Sequence, residues 1–194
     1  MCYAVRMKIY CIPYAPIPNR AAFEALLPPA RLARLCGEGS AALFAYALLA
    51  FALDRHCGIR AREAVAYTES GKPYLPKYPV HVSLSHGKTH ALCVVAAFPV
   101  GCDIETHRAV SEQVRRRVLG EDSATGDFFA RWVLRESYMK LSGDFSDGQD
   151  VCSWLYHQVP GCTAAVVAYE AFERPELTVL SPETLFSYTA EKWA

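Results

Sequence analysis

The apolar positions change period several times along the chain, and each change marks an element. Met7-Lys8-Ile9-Tyr10-Cys11-Ile12 alternates and is rich in β-formers, which predicts a first strand. Asn19 stands where a side chain can cap a short helix over residues 21–27. Pro28-Pro29 ends that helix and opens a second helical stretch through Arg31 to Leu35. Gly37 and Gly39 interrupt the chain, and Ser40 begins a helix that Gly58 closes. Residues 41–53 of it carry no charge. The stretch is shorter than the roughly 20 residues a bilayer requires and is Ala-rich, so it predicts a helix buried on most sides in a core.

Residues 63–68 predict a strand, and Gly71-Lys72-Pro73-Tyr74-Leu75-Pro76 a rigid loop. Two strands, over 81–85 and 90–98, flank a tight turn at His86-Gly87. A strand is expected over 102–105. Ser111 caps a helix ending at Gly120, and Asp127 caps a longer one through Leu141 that Gly143 closes. The remainder alternates like strands, over 152–159, 162–172, 177–180 and 185–188. Cys93-Val94-Val95-Ala96 and Ala165-Val166-Val167-Ala168 form a faint repeat, each after a long helix and a loop. The expected fold is therefore α+β: two similar halves, 1–100 and 101–194, packed as a pseudo-dimer, each with a small antiparallel sheet and a long helix.

Composition narrows the class. With 194 residues the chain suits one large domain or two small ones. The net charge is zero, so nothing global argues for nucleic acid or a membrane surface. The eight cysteines form no CxxC pair and several lie in apolar runs, as in Ala91-Leu92-Cys93-Val94-Val95. They read as reduced thiols, which points to the cytoplasm. The N-terminus lacks the apolar core and cleavage site of a secretory signal.

Three groups can carry chemistry. On a strand, Asp103 and Glu105 share a face while Cys102 and Ile104 point into the core. Two adjacent carboxylates repel, and solvent, a basic partner or a hard cation such as Mg²⁺ relieves them. On a helix, Trp132, Glu136 and Lys140 form one stripe. It is either a surface Glu–Lys pair worth about 0.3–0.5 kcal/mol or a seam suited to a metal-bound anionic substrate. Ser83-Leu84-Ser85-His86-Gly87 is an ordinary hairpin turn or a set of donors for phosphate oxygens. Ser85 and His86 point to opposite faces, so they make a poor nucleophile–base pair.

Taken in order, Gly71-Lys72-Pro73, Ser85-His86, Gly101-Cys102-Asp103-Ile104-Glu105 and the 132–140 helix segment resemble the 4′-phosphopantetheinyl transferase superfamily, more closely its longer, Sfp-like, two-half branch. The resemblance covers about residues 66 to 141. It implies that Asp103, Glu105 and Glu136 hold Mg²⁺, or Mn²⁺ in its place, against the pyrophosphate of coenzyme A. It implies that Glu136 takes the proton of the attacking serine and that Lys140 neutralises the departing phosphate. Lys72, Ser85 and His86 would contact the nucleotide and phosphates. The nucleophile would be a serine of an acyl or peptidyl carrier protein, so a monomer acting on coenzyme A and that partner suffices.

The chain departs from the family pattern in four places. Arg135 replaces the usual Lys, the apolar stretch from Ala41 to Leu53 carries no basic residue for coenzyme A, Lys140 is followed by Leu141-Ser142-Gly143-Asp144 instead of a basic loop, and the 119–128 segment is short. Arg108, Arg115, Arg116 and Arg117 form either a dock for an acidic carrier helix or a solvated face. The competing functions are a metal-dependent phosphohydrolase using the same carboxylates, and a coenzyme A- or carrier-binding relative without turnover.

Overall fold

The computed structural model describes residues 6–35, 39–120, 127–143, 151–170 and 173–193. The expectations for the N-terminus, Cys2, Cys36, Gly37 and Asp144 lie outside the described residues, as does the interior of the 119–128 segment.

Strand β1 (Met7–Pro13) pairs antiparallel with β5 (His90–Ala96), from Met7 opposite Ala96 to Pro13 opposite His90. On its other side β5 pairs with β4 (His81–His86). The short β9 (Leu177–Val179) adds to β1 in parallel, giving the order β4-β5-β1-β9. A second sheet has the order β6-β8-β7, from β6 (Val100–Thr106), β8 (Cys162–Ala168) and β7 (Cys152–Tyr156). The two VVA runs lie on β5, an inner strand of the first sheet, and on β8, the middle strand of the second. A small ribbon joins β2 (Ala66–Tyr67) to β3 (Pro73–Tyr74).

Alternation fixes what each face meets. Tyr10, Ile12, Cys93 and Val95 share a core with α3 (Ser40–Cys57). Ile9, Cys11, Leu92 and Val94 point the other way, onto Cys102, Ile104, Ala164 and Val166 of the second sheet. A strand buried on both faces has no polar side to show, which is why β5 and β8 read as continuous apolar runs. On the far face of the second sheet, α6 (Phe128–Ser142) packs against β6 and β8. The layers are therefore helix, sheet, sheet, helix.

Residues 42–50, 52 and 53 of α3 are buried, because α1 (Arg20–Glu24) and α7 (Pro182–Trp193) cover the sides that the sheet leaves. Among the described residues no helix is long and apolar enough to cross a membrane. The six described cysteines, Cys11, Cys57, Cys93, Cys102, Cys152 and Cys162, are free thiols. Helix ends follow the local signals. Asn19 Oδ1 accepts from the Ala22 amide at 3.2 Å, and Asp127 Oδ1 from Phe129 and Ala130 at 3.0 and 3.1 Å. Gly143 closes α6 at φ 87°, a conformation other residues adopt at a cost.

Two elements differ from expectation. Residues 185–188 are helical, within α7, not a strand. Pro182 pre-sets the first turn, and the buried Leu185 and Thr189 fall at helical spacing, which four residues of apparent alternation concealed. Residues 63–68 are divided: the amides of Glu63, Ala64 and Val65 close one turn of helix α4 (Ala61–Ala64), and only Ala66–Tyr67 are extended.

Helix α6 lies directly on the backbone of β6. A Cβ on Gly101 would stand 1.9 Å from the Ser137 carbonyl oxygen and 2.8 Å from the Leu141 amide nitrogen, both backbone atoms that cannot rotate away. Gly101→Ala is expected to destabilise the fold by about 3 kcal/mol or more. Chemical denaturation checks this, and a loss below about 1 kcal/mol would show that helix and strand are not so closely seated.

Candidate active site

The site begins at a free strand edge. Strand β6 pairs with β8 on one side only, so alternate amides face away from the ladder. Two buried serines of β4 take them. Ser83 Oγ accepts from the Cys102 amide at 3.0 Å, and Ser85 Oγ from the Ile104 amide at 3.4 Å. These hydroxyls stand where a strand packed between a helix and a second sheet would otherwise show apolar side chains. They satisfy donors that burial would leave unpaired.

Ser85 then donates to Asp103 Oδ1 at 2.6 Å. The same oxygen accepts from Lys140 Nζ at 2.8 Å, and Lys140 donates as well to the Cys102 carbonyl at 3.1 Å. Asp103 is 6% exposed, and its Oδ2 is buried without a partner. Helical spacing offered Glu136 as the ion partner of Lys140, but tertiary packing supplies Asp103. Glu105 is half-buried and held by Arg108 at 2.5 Å. Among the described residues no three His, Cys, Asp or Glu side chains form a group that could enclose a metal ion.

A cavity of about 420 Å³ opens beside this cluster. Its walls include Gly71, Lys72 and Pro73 from one motif, Ser83 and His86 from the next, and Glu136 and Lys140 from the α6 stripe. Ser85 and Asp103 lie behind it, joined to it through Lys140. Glu105 is not among the lining residues. The Lys72 ammonium donates to the carbonyl of Lys140, and burial lowers its pKa from the usual lysine value. The four arginines expected as a cluster are in part engaged: besides Arg108, Arg115 stacks over Phe128 at 5.7 Å and Arg116 pairs with Glu112 at 3.3 Å.

The cavity also receives Arg31, from α2 (Pro29–Arg34), which the motif pattern does not include. Its guanidinium lies 4.9 Å from the Tyr46 ring centroid and 5.6 Å from that of Tyr67. Its Nε is buried with no hydrogen-bond partner. The signal was an arginine just inside a helix opened by Pro28-Pro29, but the two tyrosines that hold it come from α3 and β2. Arg31, Lys72 and Lys140 face a single carboxylate, Glu136, so the cavity suits an anion with several charges. A second cavity of about 390 Å³, between α1, α3, α4 and α7, has charges that already pair, Asp54 with Lys192 at 2.8 Å and Arg60 with Glu63 at 3.8 Å.

No protein-family model matches the chain. Three curated proteins are similar to parts of it. A 4′-phosphopantetheinyl transferase of Bacillus subtilis is 30% identical over 87 residues, 39% of each chain. The 4′-phosphopantetheinyl transferase Sfp of Bacillus subtilis (strain 168) is 29% identical over 87 residues, again 39% of each. The 4′-phosphopantetheinyl transferase gsp of Aneurinibacillus migulanus is 24% identical over 131 residues, 62% of this chain and 53% of that one. The matched region thus spans between 39% and 53% of these relatives' length.

The Asp103–Lys140 pair has a measurable signature in stability. Lys140→Met leaves a buried carboxylate with Ser85 as its one remaining side-chain donor, and the expected loss is about 1–3 kcal/mol. Combining it with Asp103→Asn should cost less than the two single losses together, because the variants share one interaction. Denaturation of the three variants checks this, and strict additivity would mean that the pair is not coupled.

Proposed function

We propose that the chain is a 4′-phosphopantetheinyl transferase, which moves 4′-phosphopantetheine from coenzyme A to a serine hydroxyl of an acyl or peptidyl carrier protein and releases adenosine 3′,5′-bisphosphate. The observation that carries the reading is the single cavity lined by Lys72, His86, Glu136 and Lys140, residues of three separated motifs. The partial similarity to transferases of that name supports it. The two sheets with their long helices are read as the two halves, 1–100 and 101–194, of a pseudo-dimer, with β9 and α7 returning to the first.

In this reading the serine oxygen attacks the phosphorus that bears the pantetheine arm, and the bond to the bridging pyrophosphate oxygen breaks. Glu136, on the cavity wall, takes the serine proton. Lys140 places its ammonium where the leaving phosphate gains charge, held on line by Asp103 and the Cys102 carbonyl. Ser85 donates to the same Asp103 oxygen and fixes the carboxylate. Lys72 and His86 bind phosphate oxygens at the cavity rim. Mg²⁺, or Mn²⁺, would be held by Asp103, Glu105 and Glu136 and would neutralise pyrophosphate charge. The buried, unpartnered Oδ2 of Asp103 fits that role, and Glu105 would exchange Arg108 for the metal. Arg31 supplies the cation that residues 41–53 of α3 do not, for the 3′-phosphate.

Intact mass spectrometry of apo-carrier proteins incubated with the protein, coenzyme A and Mg²⁺ tests the function. The expected result is a gain of about 340 daltons, the mass of the transferred group. Release of inorganic phosphate from nucleotides with every carrier unmodified would overturn it in favour of a phosphohydrolase. Glu136→Gln should slow transfer by about 10²–10⁴-fold, and more if a metal ligand is lost with the base. Arg31→Ala should weaken coenzyme A by about tenfold or more while leaving dephospho-coenzyme A nearly unaffected. Calorimetry with both ligands decides it: an equal effect on the two would remove Arg31 from the 3′-phosphate.

A further inference from the structure

The C-terminal turn of α6 presents backbone carbonyls at the negative end of the helix, and two of them have defined partners. The Met139 carbonyl takes the Gly143 amide at 2.9 Å, closing the helix. The Lys140 carbonyl takes the ammonium of Lys72, from the other side of the cavity. Lys72 is itself fixed. Its amide donates to Thr68 Oγ1 at 3.0 Å, its carbonyl accepts from the Thr68 amide at 3.0 Å, and the next residue, Pro73, is buried and pairs with Tyr67. The ammonium is thus delivered from a rigid hairpin to the negative end of a helix dipole. The residue whose carbonyl it holds is the one whose side chain reaches Asp103 Oδ1 at 2.8 Å.

We infer that Lys72 is a positioning residue for α6: by clamping the Lys140 carbonyl it holds the last helical turn, and with it the Lys140 ammonium, against Asp103. Its importance for turnover rests on the transferase reading, but the clamp is a property of the protein without substrate. Two consequences separate it from a lysine that only binds phosphate. The clamp orders α6 before any ligand arrives, and its loss reaches Lys140 and not only the affinity for coenzyme A. Strand β5 is paired on both sides within the first sheet, by β1 and β4, and serves as an internal reference.

Hydrogen exchange followed by mass spectrometry, on the full chain without ligand, reads the clamp directly. In Lys72→Gln, whose side chain is too short to reach, amides of the 139–143 turn should exchange about tenfold faster, the change expected for losing one charge-assisted hydrogen bond. Those of β5 should be unchanged. Lys72→Arg, which keeps a cation of similar reach, should recover much of the protection. The ¹⁵N signal of Lys140 Nζ should shift in Lys72→Gln and return toward its original position in Lys72→Arg. In the carrier assay Lys72→Gln should lower kcat at saturating coenzyme A as well as raise KM. Unchanged exchange at 139–143 together with a KM effect alone would reduce Lys72 to a phosphate ligand and overturn the inference. Loss of protection spread equally through β5 would overturn it too, by making Lys72 a general stability residue. Absence of transfer with the exchange pattern as expected would instead count against the transferase reading and leave the clamp standing.

Discussion

Everything at the candidate site depends on how the free edge of β6 is covered. A strand that pairs on one side must satisfy its outward amides with something, and inside a protein the choices are few. Here the neighbouring sheet does not extend the ladder. It offers two hydroxyls, Ser83 and Ser85, one for Cys102 and one for Ile104. Because a hydroxyl both accepts and donates, Ser85 passes its own proton outward to Asp103. The structural need of an edge strand and the orientation of a carboxylate are met by one side chain. On the opposite face of β6, Gly101 brings α6 close enough for Lys140 to reach the same carboxylate.

The electrostatics follow from that geometry. The chain as a whole is neutral, yet the cavity gathers Arg31, Lys72 and Lys140 around one wall carboxylate. Such segregation costs self-repulsion, and the protein offsets it locally. Arg31 lies against two aromatic faces, Lys72 against a helix terminus, and Lys140 against Asp103. Each cation is held by a partner that leaves part of its donor capacity for something else. The unpaired Nε of Arg31 and Oδ2 of Asp103 are the two buried side-chain polar atoms without a partner among the described residues, one of each sign.

How much of this the sequence disclosed depends on the range of the interaction involved. Asn19, Ser111, Asp127 and Gly143 act on amides and carbonyls within one turn, so their residue types alone placed the helix ends. The face shared by Asp103 and Glu105, and the stripe of Glu136 and Lys140, followed from period. What period cannot give is the partner across the fold. It offered Glu136 to Lys140, whereas the close seating of α6 at Gly101 delivers Asp103. Arg31 was legible as a basic residue and nothing more, because Tyr46 and Tyr67 become its neighbours only when α3 and β2 assemble. Residues 185–188 misled for the opposite reason: the segment is short enough to satisfy both periods, and contact with α3 decided between them.

The parallel strand β9 has a consequence for the order of events in folding. The first sheet is begun by β1 and closed by a strand that follows the whole second sheet in sequence, with Ile9 opposite Leu177. Loop closure over so long a span is entropically slow. During synthesis on the ribosome the β1 edge and one flank of α3 therefore stay uncovered until β9 and α7 emerge. Between the emergence of β1 and that of β9 the nascent chain carries an open, apolar strand edge, and that interval is when a chaperone or a second nascent copy has access to it.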